Sequence, residues 1–448
     1  MAYLYLALAI FLTFVAFQTL YILIPIFKDE RRRKVLNLHE HSFSVIVPAY
    51  NEAIVIENCI LGFLQTKHQN AEMVIVNDGS SDNTLEVLKT QLKLRPYVKP
   101  FDRTLPHKEI LNVYRSETAK NIFVIDKFNG GKADALNAGI NFANKEIVVT
   151  LDADSILDPN SLSEMNDAFK EKNVVACGGN VMIAQAFKGE FGHFKPHFKM
   201  KGILRYQYLQ YLTDFFLYKR AQATLGTMSV ISGAFGAFKK EMLLKINGFR
   251  STVGEDMDIT LKVHKFIKEN GNEDKITFVP SAVCFTEAPS SIKDLFKQRV
   301  RWQKAFIDCL VHYRRCYFNK FSKRFSIFFL VDQFLIGTLN GFPVVAAPFL
   351  LLINHDNYLF MLMLLAIAFF LFTYQRITTL YISHLHDIKF SKLDIVQIIL
   401  FLPAEIFVFR LLNLIFVLYG TVTYVYKPHS WNKFERTGAF AVKGVKRA

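Results

Sequence analysis

Glu146-Ile147-Val148-Val149-Thr150-Leu151-Asp152-Ala153-Asp154 joins a short apolar, β-branched run to two carboxylates that follow it directly. The run reads as a strand over Glu146 to Leu151, ending in a polar turn. Two residues apart at a strand end, Asp152 and Asp154 can point to the same side, as a pair sharing a divalent cation must. Mg²⁺ or Mn²⁺ held by such a pair together with a diphosphate neutralises a phosphate leaving group. The competing reading of so short a pattern is a solvated turn.

The same strand, polar turn, helix unit recurs upstream. Phe43 to Pro48 runs into Pro48-Ala49-Tyr50-Asn51-Glu52, and Met73 to Val76 into Asn77-Asp78-Gly79-Ser80-Ser81-Asp82. Asn121 to Ile125 leads into Asp126-Lys127-Phe128-Asn129-Gly130-Gly131-Lys132, followed by a helix over Ala133 to Ala143. This alternation predicts a parallel sheet wound with helices, whose ligand lies beyond the carboxyl ends of the strands. Asp78 then has two readings, a carboxylate for a base or ribose hydroxyl, or a turn residue before the helix starting near Thr84, for which Asp82 is better placed. Gly130-Gly131-Lys132 can bring backbone N–H groups and an ammonium to a diphosphate, or can be only a turn. It lacks the spacing of a P-loop.

Further on, Gly254-Glu255-Asp256 precedes a helical pattern over Ile259 to Phe266. Adjacent acids there serve as capping residues or supply a general base for a reacting hydroxyl. A basic amphipathic stretch, Ile292 to Lys304, carries Gln298-Arg299-Val300-Arg301-Trp302. Lys293, Lys297 and Lys304 read as a lipid-facing set, whereas Trp302 offers a flat stacking face and Arg301 a planar donor for a pyrophosphate.

The chain as a whole has 448 residues, 51% of them hydrophobic, and a net charge of +15. That much apolar surface excludes a disordered or low-complexity protein, and the charge points to an anionic partner. The mean hydropathy of +0.20 comes from blocks. Met1 to Phe27 has no charged side chain and precedes Arg31-Arg32-Arg33-Lys34, so residues 1–27 read as a membrane anchor with the basic tetrad in the cytosol. Ile327 to Ile353 and Tyr358 to Gln375 fit single spans joined outside by Asn354-His355-Asp356-Asn357. Ile395 to Tyr426 is too long for one straight span, so a bend at Pro403 is expected to keep the basic tail, 427–448, cytosolic. The five cysteines are scattered and never paired as C-x-x-C, which predicts reduced thiols rather than disulfides or structural zinc.

In this order Pro48-Ala49-Tyr50-Asn51-Glu52, Asn77-Asp78-Gly79-Ser80, Gly131-Lys132-Ala133-Asp134-Ala135-Leu136-Asn137, Asp152-Ala153-Asp154, Ser232-Gly233-Ala234-Phe235, Gly254-Glu255-Asp256 and Gln298-x-x-Arg301-Trp302 together resemble the membrane-bound family-2 glycosyltransferases, among them cellulose, hyaluronan and poly-N-acetylglucosamine synthases. The resemblance covers residues 43 to 310. It implies an α/β GT-A (Rossmann-like) catalytic domain over 35–310, including the interface stretch 292–304, plus α-helical transmembrane segments over 327–426. It also implies an inverting transfer from a UDP-sugar, with Mg²⁺ or Mn²⁺ as cofactor.

Carried over by position, Asp256 is the base. Pro48, Glu52, Asp78, Lys132 and Asp152 contact the nucleotide sugar, and Asp152 and Asp154 hold the metal. Ser232, Gly233, Glu255, Gln298, Arg301 and Trp302 serve the acceptor and diphosphate. Gly254 stands where the family usually has Thr, and Asn77 where its synthases often have Asp. The expected partners are a UDP-sugar, a glycan or lipid acceptor, the bilayer of the plasma membrane and an accessory subunit, with the catalytic domain cytosolic. N-acetylglucosamine transfer to a growing polysaccharide is weighed against a single addition to a lipid. A transporter or scaffold using Asp332, Glu405 and Arg410 is the reading from another class. Nucleic acid is not an expected partner, because the basic residues flank apolar blocks and no basic-aromatic recognition motif occurs.

Overall fold

The computed structural model describes residues 2–27, 39–100, 104–271, 273–344 and 358–426. Two compact units are present. Among the described residues, one takes 39–194 and 229–288, and the other 2–27, 195–228 and 289–426. The span 35–310 drawn from sequence is therefore divided between them. Arg31 to Lys34, the 354–357 loop and the tail from Lys427 lie outside the described residues.

The first unit is built on a sheet. Its strands are β1 (Phe43–Ala49), β2 (Ala71–Asp78), β3 (Leu94–Pro96), β4 (Ile110–Ser116), β5 (Ile122–Lys127), β6 (Ile147–Leu151), β7 (Ile156–Leu157), β8 (Val174–Ile183) and the short β9 (Phe187–Lys188). After β10 (Lys195–Pro196), which belongs to the other unit, come β11 (Phe235–Lys239) and β12 (Lys275–Thr286). Ten of them form one sheet in the order β3-β4-β5-β2-β1-β6-β11-β8-β12-β7.

Four central strands, β5, β2, β1 and β6, are parallel, as the alternating pattern predicts. Helices Ile56–Leu64, Thr84–Leu92 and Lys132–Phe142 connect or follow them. Covered on both faces, these strands read as unbroken Val/Ile runs and are buried almost throughout. A wholly parallel sheet is not what forms, however. β4 is antiparallel to β5, because the connection from Glu117 to Asn121 is too short for a crossover. β11 is antiparallel to both β6 and β8, and β8 is parallel to β12. The sheet is thus mixed, with its parallel part carrying the first four polar turns.

The second unit is helical. It holds Ala2–Phe27, Gly202–Thr213 continuing through Asp214–Tyr218 into Lys219–Leu225, Ile292–His312, Lys323–Ile327 continuing through Phe328–Leu339, Tyr358–Leu385, and Lys392–Ala404 continuing through Glu405–Phe409 into Arg410–Tyr426. Among the described residues, four helices are long and apolar enough to cross a membrane: Leu8–Phe27, Lys323–Val344, Leu362–Leu385 and Lys392–Tyr426. Over the last of these the chain stays helical for 35 residues, so it runs on past Pro403 and does not turn back there, which is one of the courses open to a chain bent at this residue. A π-helical turn at Glu405–Phe409 follows the proline directly; such a turn takes up the register lost where proline offers no N–H donor.

Polar side chains inside this unit pair with one another. Tyr21 Oη donates to Asp332 at 2.5 Å, Gln375 Nε2 donates to Gln18 Oε1 at 2.8 Å, and Glu405 takes Arg376 at 2.5 Å and Arg410 at 3.4 Å. All five cysteines of the chain are free thiols, and four of them are buried.

Candidate active site

Strand register assembles the site in the sheet unit. Leu151, the last residue of β6, pairs with Phe235, the first of β11. Asp152 therefore leaves the sheet beside the Ser232-Gly233-Ala234 turn that enters it. Helix Glu255–Glu269 starts at the same place: Asp256 Oδ2 accepts from Gly233 N at 3.3 Å and Oδ1 from Met257 N at 2.8 Å. Lys132, first residue of helix Lys132–Phe142, ion-pairs with Asp152 at 2.6 Å and with Glu255 at 2.9 Å. A Cβ on Gly233 would sit 3.0 Å from Lys132 Nζ and 3.3 Å from both Asp256 Cβ and Glu255 Oε1. Gly233 is what lets a backbone turn approach three charged groups so closely.

The electrostatics of the cluster follow from its packing. Burial, and then the neighbouring Glu255 carboxylate, raise the pKa of Asp256 from its ordinary value; Lys132 and the two backbone N–H donors offset only part of this. Burial works against the charge of Lys132, but Asp152 and Glu255 outweigh it and hold the ammonium protonated. Burial also raises the thiols of Cys59 and Cys284, with Asp152 and Asp154 adding to it, so these sulfurs are inert packing.

Asp154 is buried and accepts from Thr286 Oγ1 at 3.2 Å and Ser155 Oγ at 3.4 Å. Asp152 and Asp154 offer oxygen donors only, from two side chains. That set suits Mg²⁺ or Mn²⁺, which take one or two carboxylates and complete their shell with phosphate and water.

The nucleotide-side residues are joined by a second set of contacts. Register places Asp78 of β2 opposite Lys127 of β5, and Asn77 opposite Asp126. Asp78 Oδ1 accepts from Lys127 Nζ at 2.6 Å and from Gly130 N at 3.0 Å, while Oδ2 accepts from Gly131 N at 2.8 Å. Lys127 also meets Asp134 at 2.5 Å, and its side chain is wholly buried. Gly131 sits at φ +89°, a conformation that favours glycine. Asp78 thus fixes the turn that aims Lys132. Asn51 Oδ1 accepts from Ser81 N at 2.8 Å, and Glu52 N donates to Thr84 Oγ1 at 2.8 Å, tying the turn after Pro48 to the turn after Asp78. As the sequence suggests, Asp82 is the turn residue, accepting from Thr84 N at 2.9 Å.

Gln298, Arg301 and Trp302 belong to the helical unit, on Ile292–His312. Lys304 is buried, which corrects its place in a lipid-facing set. Arg299 lies over the Trp302 ring at 4.4 Å, so one face of the indole is already covered; the Nε and Nη2 of Arg299 and Oε1 of Gln298 are buried without hydrogen-bond partners among the described residues. Sequence reasoning passed over Arg299, and it gave no role to Lys127 or Asp134. The signal for Lys127 was its position at the end of an apolar strand, where β2–β5 register would face it with Asp78.

The family model described as "Glycosyl transferase family 2" matches residues 44–246, and "Glycosyl transferase family group 2" matches residues 147–374, half of the chain. The poly-beta-1,6-N-acetyl-D-glucosamine synthase of Staphylococcus aureus strain COL is 29% identical over 309 residues, 68% of this chain and 64% of that protein. The corresponding synthase of Staphylococcus epidermidis is 27% identical over 364 residues, 80% of this chain and 77% of that one. Among solved structures, a mannosyltransferase from Pyrobaculum calidifontis in complex with GDP-Man and Mn²⁺ superposes with a TM-score of 0.54 at 15% identity, over 93% of this chain and 98% of that one. The sheet and its flanking helices therefore have the GT-A-like fold, and the chain belongs to glycosyltransferase family 2.

Proposed function

We propose that this glycosyltransferase moves N-acetylglucosamine from UDP-N-acetylglucosamine, with inversion, onto a growing polysaccharide at the plasma membrane. The observation that carries the reading is the convergence of Asp152, Lys132, Glu255, Asp256 and Gly233 beyond the carboxyl end of β6. The choice of sugar and of a polymer product rests on the similarity to the two staphylococcal synthases.

Asp256 accepts the proton of the acceptor hydroxyl as its oxygen bonds to the anomeric carbon, and the bond from that carbon to the diphosphate breaks on the opposite face. The charge then growing on the diphosphate meets Lys132, preset beside it by Asp152 and Glu255. Asp152 and Asp154 would hold Mg²⁺ or Mn²⁺, which supplies further charge neutralisation to the diphosphate when bound. The raised pKa of Asp256 suits a base that must leave the acceptor hydroxyl its proton until attack. Asp78, with Pro48 and Glu52 in the adjoining turn, borders the nucleoside. Ser232 and Gly233 line the acceptor side, and Gln298, Arg301 and Trp302 engage the acceptor and diphosphate. The sheet unit is assigned to the cytosol, where UDP-sugars are made, and an accessory subunit is expected for export of a polymer.

The transporter reading is disfavoured because Asp332 and Glu405 are engaged by side chains of other helices, while Arg410 pairs with Glu405 of its own helix and lies over the Phe372 ring of Tyr358–Leu385. Incubating the purified chain with radiolabelled UDP-N-acetylglucosamine and Mg²⁺ and sizing the product tests the proposal. A label-containing polymer is expected. Product confined to a single sugar on lipid would overturn the polymer reading, and turnover of UDP-glucose or UDP-galactose alone would overturn the choice of sugar.

A further inference from the structure

The opposite, amino-terminal edge of the same strands carries a second cluster. Phe43 of β1 pairs with Ile147 of β6, so the residues just ahead of each strand are brought together, and Ser42 N donates to Glu146 Oε2 at 3.3 Å. Glu146 Oε2 also lies 3.2 Å from His41 Nδ1 and 3.7 Å from His39 Nε2. The ligand atoms of all three side chains lie within 4.8 Å of one another, the one such trio of His, Cys, Asp or Glu among the described residues. The two imidazole rings stand at 82° with centroids 4.5 Å apart.

We propose that His39, His41 and Glu146 bind a transition-metal dication of the Zn²⁺ type, with water as fourth ligand. The arrangement of His41 supports this. Its Nε2 lies 3.1 Å from the carbonyl oxygen of Phe169, which can only accept, so Nε2 carries the hydrogen. In neutral imidazole Nδ1 then presents a lone pair, and it faces a carboxylate oxygen, acceptor against acceptor. A cation between them resolves the conflict, and an N–H donated to a carbonyl is the outer-shell partner that metal-bound histidines have. Tetrahedral bonds of about 2.0–2.2 Å place neighbouring ligand atoms roughly 3.3–3.5 Å apart, within a few tenths of an ångström of both observed separations. Two imidazoles and one carboxylate favour Zn²⁺ over the Mg²⁺ that suits the oxygen-only pair Asp152 and Asp154.

The five residues of β6 separate Glu146 from Asp152, six steps or about 20 Å at roughly 3.3 Å per residue, so the ion would not touch the transfer reaction. It would instead fasten the segment entering β1 to the first turn of β6, the strand that presents Asp152.

The test uses the purified 448-residue chain in detergent, stripped with chelator and held in excess Mg²⁺ to fill the carboxylate pair. Titration with Zn²⁺ is expected to give one ion per chain and a raised Tm, and Co²⁺ in its place to give the visible bands of a tetrahedral site. His41→Ala and His39→Ala should each weaken Zn²⁺ at least 100-fold, while Asp154→Asn leaves it unchanged. Glu146→Gln, which keeps the shape and the contact to Ser42, guards against loss of folding and should weaken Zn²⁺ without lowering the metal-free Tm by more than a few degrees. Absence of Zn²⁺ binding, or binding that survives the His39→Ala/His41→Ala double variant, would overturn the proposal and leave a protonated His41 paired with Glu146. None of these readouts depends on sugar transfer, so the outcome is separate from that of the proposed activity.

Discussion

Lys127 and Lys132 stand on either side of the Gly130-Gly131 turn, and each bridges two carboxylates. Lys127, at the end of β5, joins Asp78 to Asp134 with its side chain wholly buried. Lys132, at the start of the following helix, joins Asp152 to Glu255 with 23% of its side chain exposed. The first bridge is sealed at the lysine, so its ammonium is unable to leave without stranding the buried Asp78 carboxylate in the protein interior. The second is reachable from outside, and in the proposed reaction its ammonium turns from carboxylate to phosphate. The turn between them therefore separates a structural ion pair from a working one.

The strongest way to sharpen this comparison is to remove the base beside the open bridge. Asp256→Asn should lower the transfer rate by about a thousandfold or more, at the upper part of the range for general-base catalysis, measured as label transferred per minute. Because the folded protein raises the pKa of this carboxyl, its ionised form costs stability at neutral pH, and that cost disappears as pH falls through the raised value. Asp256→Asn should therefore keep or raise the Tm at pH 7, while wild type alone gains stability on acidification through that range.

Breaking the sealed bridge should have the opposite character. Lys127→Met should destabilise the fold by about 3–5 kcal/mol, because Asp78 remains buried without its cation and the half-buried Asp134 loses the same partner. Chemical denaturation would read this as a lower midpoint. Lys132→Met should lower the denaturation midpoint by less, because Asp152 keeps 30% of its side chain exposed, and should cut kcat about a hundredfold, the scale of losing one electrostatic donor to a transition state. If the two lysine variants behaved alike, the distinction between sealed and open bridges would fail.

Smaller effects follow at the edges of the open bridge. The pH profile of kcat/KM should lose activity on the acid side at a pKa above the usual Asp value, since the base works ionised and its carboxyl is raised. Lys132, held protonated by its two carboxylates, should contribute no alkaline loss near neutral pH. Gly233→Ala should be the mildest change, a few-fold in rate, because the added Cβ meets the mobile end of Lys132 at 3.0 Å.

Much of this arrangement was legible in the sequence because it is local. Each apolar run of β1, β2, β5 and β6 was followed by its own polar turn, and Thr84–Leu92 was readable to the residue. The antiparallel strands β4 and β11 were not foreseen, since strand direction is set by connection length and by pairing partners distant in sequence. The pairing of Lys132 with Asp152 and Glu255 was hidden for the same reason: it joins three elements that meet only through sheet register. Lys304 was misread because a single-sequence pattern shows a residue type, while helix packing decides what that residue does.

The most direct measurement compares wild type and Asp256→Asn for transfer from radiolabelled UDP-N-acetylglucosamine with Mg²⁺, alongside the UDP-induced rise in Tm for each. The account predicts that the variant loses transfer by about a thousandfold yet keeps the UDP-induced shift. Transfer at the wild-type rate by Asp256→Asn, with UDP binding equal in the two proteins, would contradict it.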